Sequence, residues 1–203
     1  MMKVALIGAT GRAGSPILQE LARRSHQVTA IVRNPEKVPA TANVTAKKGD
    51  VADKDGLAAL LKGHDAVISA VHFLQSDPAT LIGAVKASGA KRYLVVGGAG
   101  SLEVAPGVTL VSTPEFPALY KDEATKGGEF LKLLRQETEL DWTFLSPSAL
   151  FVEGPRTGKF RLGKDQLLTN EKGSSISFED YAIALVDEVE KPAHSRQRFT
   201  VGY

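Results

Sequence analysis

A glycine-rich turn close to the amino terminus constrains the fold more than any other feature of this sequence. The apolar run 3–7 (KVALI) is followed by Gly8, Gly11 and Gly14, and the residues after Gly14 have the apolar spacing of a helix. A strand, a glycine turn and a helix in this order form the first half of a βαβ unit. The same residues also fit a tight turn that binds nothing, so the rest of the chain has to decide between the two.

Short apolar runs rich in β-branched residues alternate with stretches of helical spacing along most of the chain. Such runs are nearly continuously apolar when helices cover both faces of a parallel sheet. The predicted fold class is therefore α/β, a Rossmann-like doubly wound parallel sheet with a small C-terminal extension on the substrate side. The predicted strands cover 3–7, 27–32, 65–71, 91–97, 142–146 and 198–201.

A single domain over residues 1–203 accounts for the length of the chain. The segment 147–180 departs from the βα pattern and contains several glycines and short polar turns, which predicts loops and a small hairpin. A helix follows, with Ser177 as its cap and Pro192 beyond its end. The connection 97–120 has no clear element of its own, and loops of this length are usually functional or mobile.

Composition and charge exclude several classes of function. The formal net charge is only +2 and no basic run with interleaved aromatics is present, so nucleic acid is not an expected partner. The chain has no cysteine, which excludes disulfides and thiol nucleophiles, and its four histidines lack the spacing of a metal site. No apolar stretch is long enough to cross a membrane, and we expect a soluble cytoplasmic protein.

The agreement between the glycine turn and the βα units after it favours a nucleotide-binding turn. In such a turn, one glycine permits the tight bend, one lets the backbone approach a pyrophosphate, and one lets helix and strand pack closely. The free N–H groups and the positive dipole at the start of the helix then hold the phosphates. The sequence therefore predicts a dinucleotide site at the first strand–helix junction.

Arg33, directly after the second predicted strand, indicates the type of dinucleotide. NAD-preferring sites normally carry an acidic residue at this place for the ribose 2′-hydroxyl, whereas an arginine can hold a 2′-phosphate through its bidentate guanidinium. Arg12, inside the glycine turn, could add a second cation, although both arginines also fit a solvated surface. We therefore expect NADP(H) as the preferred cofactor, with NAD(H) as the alternative.

The segments GATGRAG (8–14), VRNP (32–35) and GD (49–50) resemble the atypical short-chain dehydrogenase/reductases, the group of NmrA-like, NADH–flavin reductase and biliverdin-reductase-B-like proteins. The segments DWTFLSPSALFVEGPRTGKFRLG and ISFEDYAIALVDEVEKP extend the resemblance over nearly the whole chain. The resemblance implies NAD(P)H binding beyond the carboxyl ends of the strands. The positions implied are Gly8, Thr10, Gly11, Arg12 and Gly14 for the phosphates, Arg33, Asp50 and Val51 for the adenosine, and Ala70 and Val71 for the nicotinamide side. Gly97 is a further predicted cofactor-binding residue.

The chain departs from this group at the active site that the group usually has, a tyrosine with a lysine four residues later and a nearby serine. None of the four tyrosines is followed by a lysine at that spacing, and Ala124 stands four residues after Tyr120. Gly97 and Gly98 stand where the serine would be sought. The proton donor of a carbonyl reductase is therefore missing from the sequence.

The catalytic residue stays unassigned at this point, with three candidates. His72 follows a predicted strand and could touch substrate or donate a proton, but it also fits a polar residue that lines the cofactor edge. Tyr120 also fits an ordinary packing tyrosine, and Ser148 also fits a turn residue beside Pro147.

The missing pair favours an acceptor that needs no dedicated proton donor. Aldehyde or ketone reduction benefits from one, whereas the rings of flavins and quinones accept hydride, spread the charge and can take a proton from water afterwards. The sequence predicts an NADPH-dependent oxidoreductase that transfers hydride to a flavin, quinone or related conjugated acceptor, acting as a monomer or homodimer. Two alternatives stay open: an NmrA-like NADP-binding sensor without turnover, and a sugar-nucleotide epimerase or dehydratase.

Overall fold

Twelve strands and five helices follow one another along the chain, and the computed structural model describes every residue from 1 to 203. The helices are α1 (Gly14–Arg23), α2 (Lys54–Leu61), α3 (Pro78–Ser88), α4 (Ala118–Leu134) and α5 (Phe178–Glu190). The strands are β1 (Lys3–Ile7), β2 (Gln27–Val32), β3 (Val44–Lys48), β4 (Ala66–Ser69), β5 (Arg92–Val96), β6 (Glu103–Ala105), β7 (Val108–Thr109), β8 (Asp141–Ser146), β9 (Leu150–Val152), β10 (Arg161–Gly163), β11 (Ser175–Ser177) and β12 (Gln197–Gly202).

Eight of the strands form one sheet in the order β10–β12–β8–β5–β4–β1–β2–β3. Every neighbouring pair is parallel except β10 and β12, which are antiparallel. Helices α1 and α5 pack on one face, and α2, α3 and α4 pack on the other. This is the Rossmann-like α/β fold that the sequence predicts, and all six predicted strands are present. None of the five helices combines the length and hydrophobicity that crossing a bilayer requires.

The apolar stripes of the helices account for the packing on both faces. Leu21 of α1 and Leu185 of α5 are buried in the first layer, and Leu57 of α2 and Phe130 of α4 are buried in the second. Full burial of one such side chain is worth roughly 1.5–3 kcal/mol. Most of the stability of the helices therefore comes from these contacts with the sheet rather than from helix propensity.

Two of the tyrosines are core residues whose hydroxyl groups have fixed partners. The Tyr93 hydroxyl lies 2.9 Å from Ser69 Oγ, and the Tyr181 hydroxyl donates to the Leu145 carbonyl over 2.7 Å. Burial raises the pKa of both phenols well above the ordinary value. Neither tyrosine can therefore exchange protons with a ligand at the surface.

The helix ends follow the local chemistry of the sequence. Ser177 Oγ accepts a hydrogen bond of 3.0 Å from the Asp180 N–H, which confirms the predicted cap of α5. Asp53 and Asp77 cap α2 and α3 in the same way. Gly89 ends α3 with a φ of +80°, a backbone conformation that glycine adopts without steric cost.

Two parts of the chain differ from the sequence prediction. The prediction that 97–120 has no element of its own is wrong, because β6 and β7 form a small antiparallel pair and α4 already begins at Ala118. Strand β3 has no counterpart among the predicted strands. It is an edge strand, paired only with β2, and its exposed Lys47 and Lys48 interrupt the apolar pattern.

The segment 147–180 contains three short strands instead of the expected small hairpin. Strand β9 pairs with β11 in parallel, and β10 joins the edge of the main sheet beside β12. The one hairpin-like pairing inside the segment is the tight turn between Asn170 and Gly173. Each of these strands pairs with a strand that is distant in sequence. A strand of only three residues is too short to be stable alone and needs a neighbouring strand that other contacts already hold.

Residues 154–158, which we call the strap, have no regular structure, yet each of them is bound to α1, α5 or the residue that caps α5. Arg156 donates two hydrogen bonds to Glu20 of α1, over 2.8 and 2.9 Å. Asp180 of α5 accepts from the Thr157 N–H and hydroxyl, the Gly158 N–H and the Tyr203 hydroxyl, over 2.6–2.8 Å. The Gly154 N–H donates to Glu179, and the Pro155 carbonyl accepts from Ser177.

Replacing Asp180 with alanine removes the buried acceptor of four partly buried hydrogen bonds. We expect Asp180→Ala to lower the free energy of unfolding by roughly 3 kcal/mol, because one unsatisfied buried donor costs about 1–3 kcal/mol. The measurement is urea unfolding. Asp187→Ala on the same helix is the matched control, since the Asp187 side chain is 55% exposed and its ion pair with Arg24 should contribute less than about 1 kcal/mol. Equal losses in the two variants would contradict this account of the strap.

Candidate functional site

The strand order reverses direction between β1 and β4, and this point marks the candidate site. From β1 the chain proceeds through β2 and β3 towards one edge, and from β4 through β5 and β8 towards the other. Helices that leave adjacent parallel strands in opposite directions open a crevice beyond the carboxyl ends of those strands. The residues that follow β1, β2, β3, β4 and β5 therefore meet around one crevice.

The glycine loop (Gly8–Gly14) brings the start of α1 against the end of β1. Gly8 has a φ of +84°, and a side chain on it would collide with the carbonyl group of Ala70, just after β4. A side chain on Gly14 would collide with the carbonyl oxygen of Gly8. Gly11 is different, because the nearest atom to an added Cβ is the Gly8 oxygen at 3.4 Å, an ordinary contact.

Several backbone N–H groups of the glycine loop point away from any partner in the protein. Those of Thr10, Arg12 and Ala13 donate no hydrogen bond within the chain. Helix α1 has no acidic residue in its first turn and no side-chain cap at Ala13, so its positive end is not neutralised. Free N–H groups at an uncapped helix start form an anion site of the kind that binds a diphosphate.

The side of the crevice at β2 and β3 carries the residues predicted for the adenosine. Arg33 is exposed immediately after β2 and has no ion pair or hydrogen bond. Asp50 Oδ1 accepts a hydrogen bond of 2.9 Å from the Ala52 N–H, which fixes the turn after β3. Val51 is half-buried and lines a cavity of about 490 Å³ together with Phe73. The structure thus brings Asp50 and Val51 to the same edge of the sheet as Arg33.

The other side of the crevice is formed by the ends of β4 and β5. The Ala70 carbonyl group and Val71 Cγ1 both lie against Gly8, so these two residues border the glycine loop; their place on the nicotinamide side stays a prediction. The Gly97 N–H donates to the Leu145 carbonyl over 2.9 Å, and a side chain on Gly97 would collide with the Phe144 ring. The packing of Phe144 therefore explains why position 97 is a glycine, in the region where the group that the sequence resembles usually has a serine.

The chain matches a known protein family over most of its length. The family described as NAD(P)H-binding matches residues 8–192, from the first glycine of the loop to just beyond α5. The chain belongs to the NAD(P)H-binding family. The matched range includes all the residues predicted to bind the cofactor, and the family-level resemblance inferred from the sequence is confirmed.

Relatives of this NAD(P)H-binding protein match it over nearly their whole length. The Bacillus subtilis protein YwnB is 46% identical over 211 residues, with 98% of each chain covered. A Bacteroides thetaiotaomicron structure provisionally assigned as an epimerase has 44% identity and a TM-score of 0.95, covering 100% of this chain and 97% of that one. A Streptococcus pneumoniae structure provisionally assigned as an NADH-flavin reductase has 38% identity and a TM-score of 0.86, covering 100% and 99%.

The three candidate catalytic residues have very different surroundings in this NAD(P)H-binding protein. Ser148 is 1% exposed, and its hydroxyl donates to the Val201 carbonyl over 3.0 Å, so the geometry gives it a structural contact. Tyr120 is 60% exposed in the first turn of α4. His72 is exposed just beyond β4, with Nδ1 at 3.3 Å from Glu123 Oε1. His72 is thus the one candidate that is both accessible and held by a charged partner.

Alanine stands at position 124 of the NAD(P)H-binding chain, where the lysine that usually follows the active-site tyrosine would be. Ala124 faces Gly100, and an added Cβ on Gly100 would come within 2.7 Å of the Ala124 Cβ. The loop after β5 therefore packs directly on α4 at Ala124. Tyr120 thus has no lysine four residues further along its helix.

Two residues at the site of this family member were missed by sequence reasoning. Glu123 binds the turn after β4, and its role depends on residues about 50 positions away, which no local pattern shows. Phe178 lies under Arg12, whose guanidinium carbon is 5.4 Å from the centre of the ring. Arg12 therefore joins the glycine loop to the start of α5, in addition to its predicted place beside the phosphates.

The glycine loop gives a direct test of these close approaches. We expect Gly14→Ala to lower the free energy of unfolding by about 1–3 kcal/mol, because the added methyl group meets a backbone carbonyl that cannot rotate away. Gly11→Ala is the matched control, and its unfolding free energy should stay within about 0.5 kcal/mol of the parent protein. Chemical unfolding followed by circular dichroism measures both. A stable Gly14→Ala protein would show that α1 and β1 do not approach as described.

Proposed function

We propose that this protein is an NADPH-dependent reductase that transfers hydride to a flavin, a quinone or a related conjugated acceptor. The observation that carries the proposal is the combination, at one crevice, of a dinucleotide cradle with an α4 that has Ala124 where the usual carbonyl-reducing pair has its lysine. NADPH supplies the hydride when it is bound. The protein would hold the phosphates on the glycine loop and leave the accessible mouth of the crevice to the acceptor.

The missing pair determines which acceptors suit such a site. Reduction of an aldehyde or ketone places charge on one oxygen, and a positioned proton donor lowers that barrier. A conjugated ring spreads the charge over several atoms, so the protein has mainly to orient the ring and keep competing reactions away. Tyr93 and Tyr181 cannot replace the missing donor, because both are buried and bonded inside the core.

The relatives support an oxidoreductase of this kind and give one competing suggestion. The Streptococcus pneumoniae relative provisionally assigned as an NADH-flavin reductase supports a flavin acceptor. The Bacteroides thetaiotaomicron relative is provisionally assigned as an epimerase, but epimerisation of a sugar also benefits from a placed acid–base group. The absence of the tyrosine–lysine pair therefore favours the reductase.

Arg33 supports NADPH over NADH. Its guanidinium is exposed beyond β2, is unpaired, and has no acidic residue beside it in sequence that could bind a ribose 2′-hydroxyl. A guanidinium can bind a phosphate through two parallel hydrogen bonds, and this contact exists only with the phosphorylated cofactor. We propose that Arg33 is the residue that distinguishes the two cofactors.

Replacing Arg33 with aspartate tests the cofactor preference. We expect Arg33→Asp to raise the KM for NADPH at least about tenfold and to change that for NADH much less, because a charge-assisted hydrogen bond is worth about 1.5–3 kcal/mol. Arg23→Asp is the matched control, since Arg23 is an exposed arginine in the last turn of α1. Equal changes in both KM values would contradict the assignment of Arg33.

Oxidation of NADPH at 340 nm, measured with a panel of flavins, quinones, biliverdin and simple aldehydes, tests the reaction. We expect turnover with at least one conjugated acceptor and none with the aldehydes. Turnover confined to aldehydes would overturn the choice of acceptor. Tight NADP binding without turnover on any acceptor would overturn the reductase in favour of a nucleotide sensor.

A further inference from the structure

One carboxylate, Glu123 of α4, fixes the turn that follows β4. Its two oxygens accept hydrogen bonds from the Phe73 N–H over 2.8 Å and the Leu74 N–H over 2.9 Å, and Oε1 also lies 3.3 Å from His72 Nδ1. The Phe73 ring packs against Gly127, one turn further along α4, and on Phe130. The turn 72–75 and α4 therefore form one unit at the mouth of the crevice.

His72 lies on the nicotinamide side of the predicted cofactor site. It follows Val71, whose Cγ1 lies against Gly8 of the glycine loop, and β4 is the neighbour of β1 in the sheet. The side chain is 75% exposed, and Nε2 has no partner in the protein. With Nδ1 turned towards Glu123, Nε2 faces outwards.

The surroundings of His72 suit a flat apolar molecule. Leu74 and Tyr120 are both more than half exposed, although each belongs to an element that Glu123 joins. Tyr120 precedes Glu123 by three residues on α4, so the two side chains lie on the same face of the helix. Tyr120 thus lies on the same face of α4 as the carboxylate that binds the turn with the exposed His72 and Leu74.

We propose that His72, oriented by Glu123, donates the proton that completes the reduction of the acceptor. The inference rests on the proposed function. Hydride adds one electron pair to the conjugated acceptor and leaves it as an anion; the Nε2–H bond of the protonated imidazole then breaks, the proton goes to that anion, and solvent water restores the proton to His72. Glu123 is a positioning residue, because its contact with Nδ1 fixes the ring and its tautomer.

This role is consistent with the missing tyrosine–lysine pair. The oxygen formed from an aldehyde needs its proton during the transition state, at a position fixed beside the bond that changes. A delocalised anion is longer-lived and takes its proton from an exposed side chain in a later step, and this step limits turnover. An accessible histidine therefore suits a flavin or quinone and would serve an aldehyde poorly.

Removal of the imidazole tests the proton donor. We expect His72→Ala to lower kcat with a quinone by roughly 100-fold, within the range usual for general acids, while the Kd for NADPH stays unchanged. Added free imidazole should restore much of the lost rate. Thr125→Val, which removes an exposed hydroxyl of α4 whose partner is the Lys121 carbonyl, should stay close to the parent protein.

Glu123→Gln tests the positioning role, because it removes the charge beside His72 Nδ1 at almost the same size. Its one amide oxygen can accept from only one of the two backbone N–H groups of the turn, so the free energy of unfolding of the variant is measured as well. We expect a smaller loss of kcat, no change in the Kd for NADPH, and no additional loss when Glu123→Gln is combined with His72→Ala. Glu129→Gln is the matched control, since Glu129 lies on the same helix and pairs only with Lys126 at the surface. Additive losses in the double variant would overturn the positioning role.

A measurement without turnover separates this inference from the proposed function. In NMR spectra of the four histidines, the ring signal that disappears in His72→Ala should shift when a non-reducible quinone analogue is added together with NADP. Turnover by the parent protein with an unchanged His72→Ala rate, or a loss that imidazole does not restore, would overturn the inference alone. Absence of turnover in the parent protein would overturn the proposed function and this inference with it.

Discussion

The close contact between backbone groups at the first strand–helix junction determines the geometry of the whole crevice. Gly8 lies against the Ala70 carbonyl and Gly14 against the Gly8 carbonyl, in both cases at a distance that a side chain would prevent. Because the opposing atoms are backbone, no change of rotamer could make room. Helix α1 therefore begins directly at the end of β1, and its free N–H groups face the point where the strand order reverses.

Carboxylates, rather than backbone ladders, hold the irregular segments around this junction. Glu20 and Asp180 bind the strap, and Glu123 binds the turn after β4. Burial alone would raise the pKa of Glu20, but the hydrogen bonds from Arg156 and Arg24 hold this pKa below its ordinary value. A segment without secondary structure must satisfy its N–H groups in some way, and here charged oxygens on the helices satisfy them.

The predicted cofactor side and the proposed acceptor side of the crevice differ in the groups that form them. The cofactor side consists of backbone groups with few side chains, which suits a diphosphate whose size and charge do not vary. The proposed acceptor side carries exposed side chains of the turn after β4 and of the start of α4, and the turn is held in place by a contact between distant parts of the chain. Differences in acceptor between related proteins can therefore arise from a few side chains without any change in the cradle.

The strands of the sheet interior could be predicted because a buried strand needs an apolar run of neighbouring residues in the sequence. Strands covered on both faces are continuously apolar, and all six predicted runs became strands of the main sheet. Strand β3 lacks such an apolar run because it lies at an edge of the sheet. The start of α4 lacks a buried apolar pattern because Leu119 and Tyr120 are exposed there. The short strands of 147–180 also show no local pattern that predicts them, since their partners are far away in sequence.

The sequence by itself determined the fold class and the position of the glycine loop, because both depend on residues that are neighbours along the chain. The tertiary structure alone distinguished the three catalytic candidates: it buried Ser148 against Val201, left Tyr120 exposed, and brought Glu123 to His72 across 51 residues. It also showed that Gly97 makes room for Phe144. These relations depend on which strands and helices become neighbours, and a sequence does not contain that order in any local pattern.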